Sequence, residues 1–219
     1  MAPKTAILFG ASGLIGNYVL QELIKDDRYS QIVLFSRKLL HPGSSKVVEI
    51  ITSFEDKALL ENNLNGDEIY CCLGTTIAKA GNQPAFRKVD YDLPVAIGVA
   101  AKKKGITKML VVSSLGAEAT SSNFYLRTKG EMEQSLKSLG LLSLHFFRPS
   151  MLLGSRKESR PAETVGKIAM RALSFLFVGG LRKYKAIHAY TVAKAMIAVA
   201  NSKHTEEVYD SEEIAIAGK

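Results

Sequence analysis

Tyr125 and Lys129 stand four residues apart in Phe124-Tyr125-Leu-Arg-Thr-Lys129-Gly-Glu-Met-Glu. In a helix that spacing puts both side chains on one face. A free phenol ionises near pH 10, and an ammonium beside it favours the phenolate. The pair therefore suits proton exchange with a carbonyl or an alcohol. Eleven residues before Tyr125, Ser114 follows the apolar run Lys108–Val112. A hydroxyl at the carboxyl end of a strand sits where doubly wound sheets bind ligands. There it can donate a hydrogen bond to a developing oxyanion. Ser113 is its neighbour, and alternation along a strand sends the two to opposite faces, so Ser114 is the candidate. Tyr125, Lys129 and Ser114 form the expected catalytic set.

Such a set needs a hydride carrier, and the start of the chain has a cradle for one. Phe9-Gly10-Ala11-Ser12-Gly13-Leu14-Ile15-Gly16 lies between an apolar strand pattern and a helical one. Gly10 permits a tight turn, Gly13 lets backbone amides approach a pyrophosphate, and Gly16 lets the helix pack against the sheet. The helix N-terminus offers free N–H groups and a partial positive charge to the anion. Gly10, Ser12, Gly13, Leu14, Ile15 and Gly16 are the expected contacts. The second strand pattern, Gln31–Phe35, runs into Ser36-Arg37-Lys38, with Arg37 21 residues after Gly16. Chains that bind NAD carry an acid near this point for the ribose 2′-OH. Here Arg37 offers a planar fork of donors to a 2′-phosphate and Lys38 adds a second cation, so NADP(H) is expected over NAD(H).

The elements that must position these residues alternate. Strand patterns fall at Thr5–Phe9, Gln31–Phe35, Val47–Ile51, Glu68–Leu73, Thr107–Ser113 and Leu142–Phe147, each apolar nearly throughout, as strands covered on both faces read. Helical patterns lie at Leu14–Lys25, Phe54–Asn62, Pro84–Lys104 and Phe124–Leu139. The alternation predicts an α/β fold, a doubly wound parallel sheet of Rossmann-like, NAD(P)-binding type. After Arg148-Pro149 the rhythm changes. A charged loop, Gly154–Pro161, precedes helical patterns near Ala162–Val178 and Thr191–Asn201. Residues 1–219 then form one domain, in which 154–219 contribute a small C-terminal helical substrate-side lobe.

Composition agrees. The chain has 219 residues, 47% apolar and 23% charged, with a formal charge of +8. It is globular rather than disordered. The basic excess comes without interleaved aromatics, so nucleic acid is not expected. No apolar stretch reaches the length of a transmembrane helix. The first residues go straight into a strand pattern without a signal-peptide pattern, so a cytoplasmic protein is expected. The two cysteines, Cys71 and Cys72, are adjacent. They cannot form a disulfide framework, and no metal site is expected.

With these residues in place, the chain resembles the short-chain dehydrogenase/reductase superfamily in its atypical branch, and within it the Tat-interacting oxidoreductase (CC-three) family. The resemblance rests on Gly10–Gly16, Cys71-Cys-Leu-Gly-Thr-Thr76 with Lys79-Ala-Gly81, and Val89-Asp90. It continues through Ser113-Ser114 with Gly116-Ala117, Ser122-Asn-Phe124, Tyr125 with Lys129-Gly-Glu131, Phe147-Arg-Pro149, Leu152-Leu153 and Glu158-Ser-Arg-Pro161. It implies NADP(H) along the carboxyl ends of the strands. Ser53, where the family often has aspartate, and Phe54 would flank the adenine. Cys72, Leu73, Gly74 and Thr75 would line the ribose and pyrophosphate. Tyr125 would act as the acid and Lys129 as the ribose-binding cation, and Pro149, Ser150 and Leu152 would pass beside the nicotinamide.

The expected activity is hydride transfer between NADP(H) and a small carbonyl or alcohol substrate. The alternative is an NADPH-binding regulatory or sensor protein with little or no turnover. A nucleotide-sugar epimerase would need a larger sugar-binding lobe than the residues after Gly154 offer. Arg160 is either a clamp for an anionic substrate or half of a loop salt bridge. The adjacent cysteines are either redox sensors or small hydrophobes. The helix Thr164–Val178 packs over the sheet or at a dimer contact, or lies on a membrane. His188 and Tyr190 face the site or serve structure. A monomer and a homodimer both fit.

Overall fold

The computed structural model describes residues 2–154, 184–202 and 207–219. At its centre β1 (Lys4–Phe9) pairs with β2 (Tyr29–Ser36) on one side and β4 (Glu68–Cys71) on the other. Adding β3 (Val47–Ile51), β5 (Lys108–Val112), β6 (Ser143–Arg148) and β9 (Val208–Asp210) gives a seven-stranded, all-parallel sheet of order β3-β2-β1-β4-β5-β6-β9. The order reverses at β1, between β2 and β4, and such a switch point opens a crevice at the carboxyl ends of the strands. A small parallel pair, β7 (Leu152–Leu153) with β8 (Ile187–His188), lies apart from it.

Both faces of the sheet are covered, which explains the unbroken apolar runs. Along β1 the side chains alternate. Ala6 and Leu8 join Ile15, Val19, Leu20 and Leu23 of α1 (Leu14–Lys25) and the small side chains of α7 (Ala189–Ala200). Ile7 and Phe9 face the other layer, with Leu60 of α2 (Lys57–Asn63), Ile97 of α5 (Leu93–Lys103), and Met132 and Leu136 of α6 (Phe124–Lys137). Ala6, Ile7, Leu8 and Phe9 are wholly inaccessible.

Several boundaries differ from the sequence reading. The second helix starts at Lys57 rather than Phe54, because Phe54 has a φ of +66° and Asp56 caps the helix by accepting from the Leu59 amide at 2.9 Å. The long pattern Pro84–Lys104 is α4 (Gln83–Arg87), a π turn (Lys88–Asp92) and α5. A short α3 (Ile77–Ala80) precedes it, and β4 stops at Cys71. The tail holds an unanticipated strand, β9, and helix α8 (Ser211–Ala217), whose first turn is closed by the reciprocal bonds of Asp210 and Glu213. β9 extends the main sheet and α7 packs on α1, so both join the central layers. The expected helix Ala162–Val178 and Arg160 lie outside the described residues.

Candidate active site

The glycine loop is shaped by close approach. Gly10 has a φ of +85°, and a Cβ there would lie 2.5 Å from the Cys72 carbonyl oxygen. A Cβ on Gly16 would lie 2.2 Å from the Gly10 carbonyl oxygen. Neither position admits a side chain without moving backbone. The Gly13 amide closes the turn on the Gly10 carbonyl at 2.9 Å, and Gly13 then caps α1 with no side-chain bond to the first turn. Exposed Ser12 and Gly13 and half-buried Leu14 lead into a helix start whose amides are left for an anion, while the Ile15 side chain is buried in the core.

Beyond β2, Arg37 and Lys38 are exposed, and the Ser36 hydroxyl holds their turn by donating to the Lys38 carbonyl at 2.6 Å. Beyond β3, the Thr52 amide bonds the Ser36 carbonyl at 2.9 Å and its hydroxyl accepts from the Phe54 amide at 2.9 Å. Phe54 holds its left-handed backbone there, and its ring lies 6.2 Å from that of Phe9. A bulky residue with positive φ is held by its surroundings at a cost of about 1–3 kcal/mol. Ser53 beside it is exposed.

The loop after β4 reaches the catalytic candidates through a residue that sequence reasoning did not place in the site. Asp90, in the π turn, is wholly buried, whereas Lys88 and Asp92 on either side are exposed. Its Oδ1 lies 2.8 Å from the Lys129 Nζ, and its Oδ2 accepts from the Thr75 amide at 2.8 Å. Gly74 passes so close that a Cβ would lie 3.5 Å from that Oδ1. Lys129 is 3% exposed and also reaches the Val112 carbonyl at 3.5 Å. Burial pulls its pKa down. The Asp90 carboxylate foremost, then Tyr125 and Cys71, more than offset this and leave the ammonium's pKa above its ordinary value.

Tyr125 is half-buried against Phe86, ring centroids 5.6 Å apart, and its hydroxyl makes no hydrogen bond with the described residues. Asn123 caps α6 through the Leu126 amide and so fixes where Tyr125 enters. One turn on, α6 touches the loop after β5: a Cβ on Gly130 would lie 2.2 Å from the Ala119 nitrogen. That contact sets the spacing between the helix and the segment bearing the two serines. Ser113 is buried, and its hydroxyl has no partner among the described residues. Ser114 is half-buried, and its hydroxyl makes a long 3.4 Å contact to the Leu115 carbonyl. It opens onto a cavity of about 930 Å³ over the carboxyl ends of β5, β6 and β9.

Leu126, Arg148, Pro149, Ser150 and Met151 also line this cavity. Arg148 is bound to Glu133 of α6 at 2.9 and 2.5 Å, so its charge is already matched. The Ser150 hydroxyl donates to the Lys185 carbonyl at 2.5 Å, and its amide donates to the Ser211 hydroxyl. Leu152 pairs with Ile187 and packs on the α1 side of the core. His188 ends β8 just before α7, and the Tyr190 ring packs edge-on against Tyr18 of α1 at 5.6 Å, a contact away from the Tyr125 helix. Cys71 is buried and Cys72 half-buried, both as free thiols. Burial pushes the Cys71 thiol up to about 11 and raises that of Cys72 as well, which suits small hydrophobes rather than reactive thiolates.

Comparison with known proteins agrees with this architecture. Residues 10–203 match the model of a family described as NAD(P)H-binding. Protein HTATIP2 of Rattus norvegicus is 32% identical over 201 residues, covering 90% of this chain and 81% of that protein. Protein FMP52, mitochondrial, of Saccharomyces cerevisiae is 32% identical over 165 residues, covering 74% and 71%. Among solved structures, a UDP-glucose 4-epimerase of Thermotoga maritima superposes with a TM-score of 0.70 over 94% of this chain and 75% of its own, at 16% identity, a likeness of fold. No helix among the described residues is long and apolar enough to cross a membrane. The chain therefore belongs to the NAD(P)H-binding family and is related to HTATIP2 and FMP52.

Proposed function

We propose that the protein is an NADP(H)-dependent oxidoreductase that moves hydride between the nicotinamide and a small carbonyl or alcohol. The observation that carries this is the buried Lys129 ammonium on the same helix as Tyr125, one turn away, beside the ends of β4 and β5. The cofactor would supply the hydride. Gly10, Ser12, Gly13, Leu14, Ile15 and Gly16 would hold its pyrophosphate, with Cys72, Leu73, Gly74 and Thr75 along the ribose. Arg37 and Lys38 carry no ion pair among the described residues and are available to a 2′-phosphate, with Ser53 and Phe54 beside the adenine. Pro149, Ser150 and Leu152 would border the nicotinamide. The substrate would enter the cavity above β5 and β6, with its oxygen between Ser114 and Tyr125. Tyr125 would give or take the proton, and Lys129 would stabilise its phenolate and bond the ribose.

The test is Tyr125→Phe, assayed by NADPH oxidation with a panel of aldehydes and ketones. Loss of the proton donor should cut turnover by about 10²–10⁴-fold while NADPH affinity stays near wild type. Unchanged turnover removes the tyrosine from the mechanism. Tight NADPH binding by the wild type with no turnover on any carbonyl would instead favour a nucleotide sensor. The expected cytoplasmic location gains no support from the yeast relative, whose name says mitochondrial.

A further inference from the structure

Lys129 and Asp90 are both almost inaccessible, and a buried ion pair is a poor source of stability. Apolar residues of similar volume often do as well or better, because two charges must be stripped of water. The pair is therefore not explained by folding. The backbone is also bent to make it: a π turn, a conformation frequent at functional sites, interrupts an otherwise α-helical run at the residue that turns inward. The two Asp90 oxygens do different work. One faces the ammonium, and the other holds the Thr75 amide in the loop expected along the ribose. An ammonium has three N–H groups. The Val112 carbonyl accepts from one at 3.5 Å; the Asp90 Oδ1 pairs with the charge at 2.8 Å, yet it is buried with no hydrogen-bond partner among the described residues, so the pair keeps donors for a ligand.

We infer that Asp90 is a positioning residue for this site: its carboxylate keeps Lys129 as an ammonium and ties the loop after β4 to it, so that cation and ribose-side loop are assembled before nucleotide arrives. This rests on the cofactor reading above but not on turnover. The titratable groups acting on Lys129 are Asp90 from the π turn, Tyr125 from α6 and Cys71 from β4. Of these, Asp90 is the acid whose oxygen lies 2.8 Å from the ammonium. Without it, burial has little to oppose it, and Lys129 loses its proton at lower pH.

The experiment is a fluorescence titration of NADPH from pH 7 to 9.5 on the wild type, Asp90→Asn and Lys129→Met. Asn can still accept from the Thr75 amide, so it removes the charge and keeps the neutral contact. The wild type should bind with a flat profile. Asp90→Asn should bind within a few-fold of it at pH 7 and weaken by about tenfold or more toward pH 9.5, approaching Lys129→Met, which should be weak throughout. If Asp90→Asn follows the wild type, or loses affinity equally at every pH as a packing defect would, the inference is overturned. If the wild type takes up no NADPH, the cofactor reading fails with it. Should Asp90→Asn not fold, ¹³C-lysine NMR on the wild type, assigned with Lys129→Met, decides. An ammonium retained beyond pH 10 supports the inference, and deprotonation below pH 9 overturns it.

Discussion

Gly130→Ala separates the fold's geometry from local propensity, because the two predict opposite signs. Inside a helix, alanine is favoured over glycine by about 1 kcal/mol, so with open space the change would stabilise the protein. Gly130 has no such space. The added Cβ would sit 2.2 Å from both the Ala119 nitrogen and the Glu118 carbonyl carbon, and 2.6 Å from the Glu118 Cα. Ordinary contact begins at 3.4 Å, so α6 and the loop must part by roughly 1.2 Å. The atoms in the way are backbone, and the loop is held at both ends: the Ser113 amide bonds the Phe147 carbonyl, and the Glu118 amide bonds the Leu126 carbonyl. Overpacking of this kind costs about 1–3 kcal/mol. Against the helix gain, a net loss of up to about 2 kcal/mol remains, or a fall in Tm of about 4–8 °C for a chain of this size. The same displacement moves Tyr125 and Lys129 relative to Ser114, and a 1 Å error in a catalytic constellation costs on the order of 100-fold in rate. Thermal melts and NADPH-linked turnover check both parts. A Tm at or above that of the wild type with normal turnover would show that the contact does not set the site.

Two further outcomes follow from separate features. Arg37→Asp should weaken NADPH by about 10–150-fold, the worth of a charge-assisted hydrogen bond, and leave NADH within a few-fold; equal losses in parallel titrations would defeat the assignment to the 2′-phosphate. At the opposite end of the strands, Tyr29 and Tyr70 bond the Glu68 carboxylate, and burial raises both phenols above their ordinary value. They stay protonated in the fold while the unfolded chain ionises near pH 10. Stability should therefore be flat below pH 10 and then fall by up to about 1.4 kcal/mol per pH unit for each tyrosine. Urea unfolding between pH 9 and 11 should show this slope, reduced in Tyr29→Phe; a flat profile in the wild type contradicts it.

Much of the scaffold was legible because its signals are local. An apolar run, three spaced glycines and a clean helical period fixed β1, the loop and α1, and α1 matches its expected bounds. Strands β2 to β6 were visible because a sheet covered on both faces needs nearly continuous apolar side chains. What was hidden depends on tertiary context. The π turn leaves the apolar pattern of Pro84–Lys104 intact, so nothing marks Asp90 as the inward residue among Lys88, Tyr91 and Asp92. The nearest signal was an unpaired acid inside a helical run within a stretch already singled out by family likeness. β9 has three residues, too few for a period, and is a strand only because β6 offers an edge. Gly130 carries no local signal of its own in the sequence, and only the crossing loop gives it a purpose.

The most direct test of the account is a titration of the well-folded protein with NADPH and NADH. Uptake of one NADPH per chain, tighter than NADH, with affinity abolished by Gly16→Ala, is the expected result. In that variant a Cβ would meet the Gly10 carbonyl oxygen at 2.2 Å and close the pyrophosphate cradle. No uptake of either nucleotide, or uptake untouched by that substitution, would contradict it.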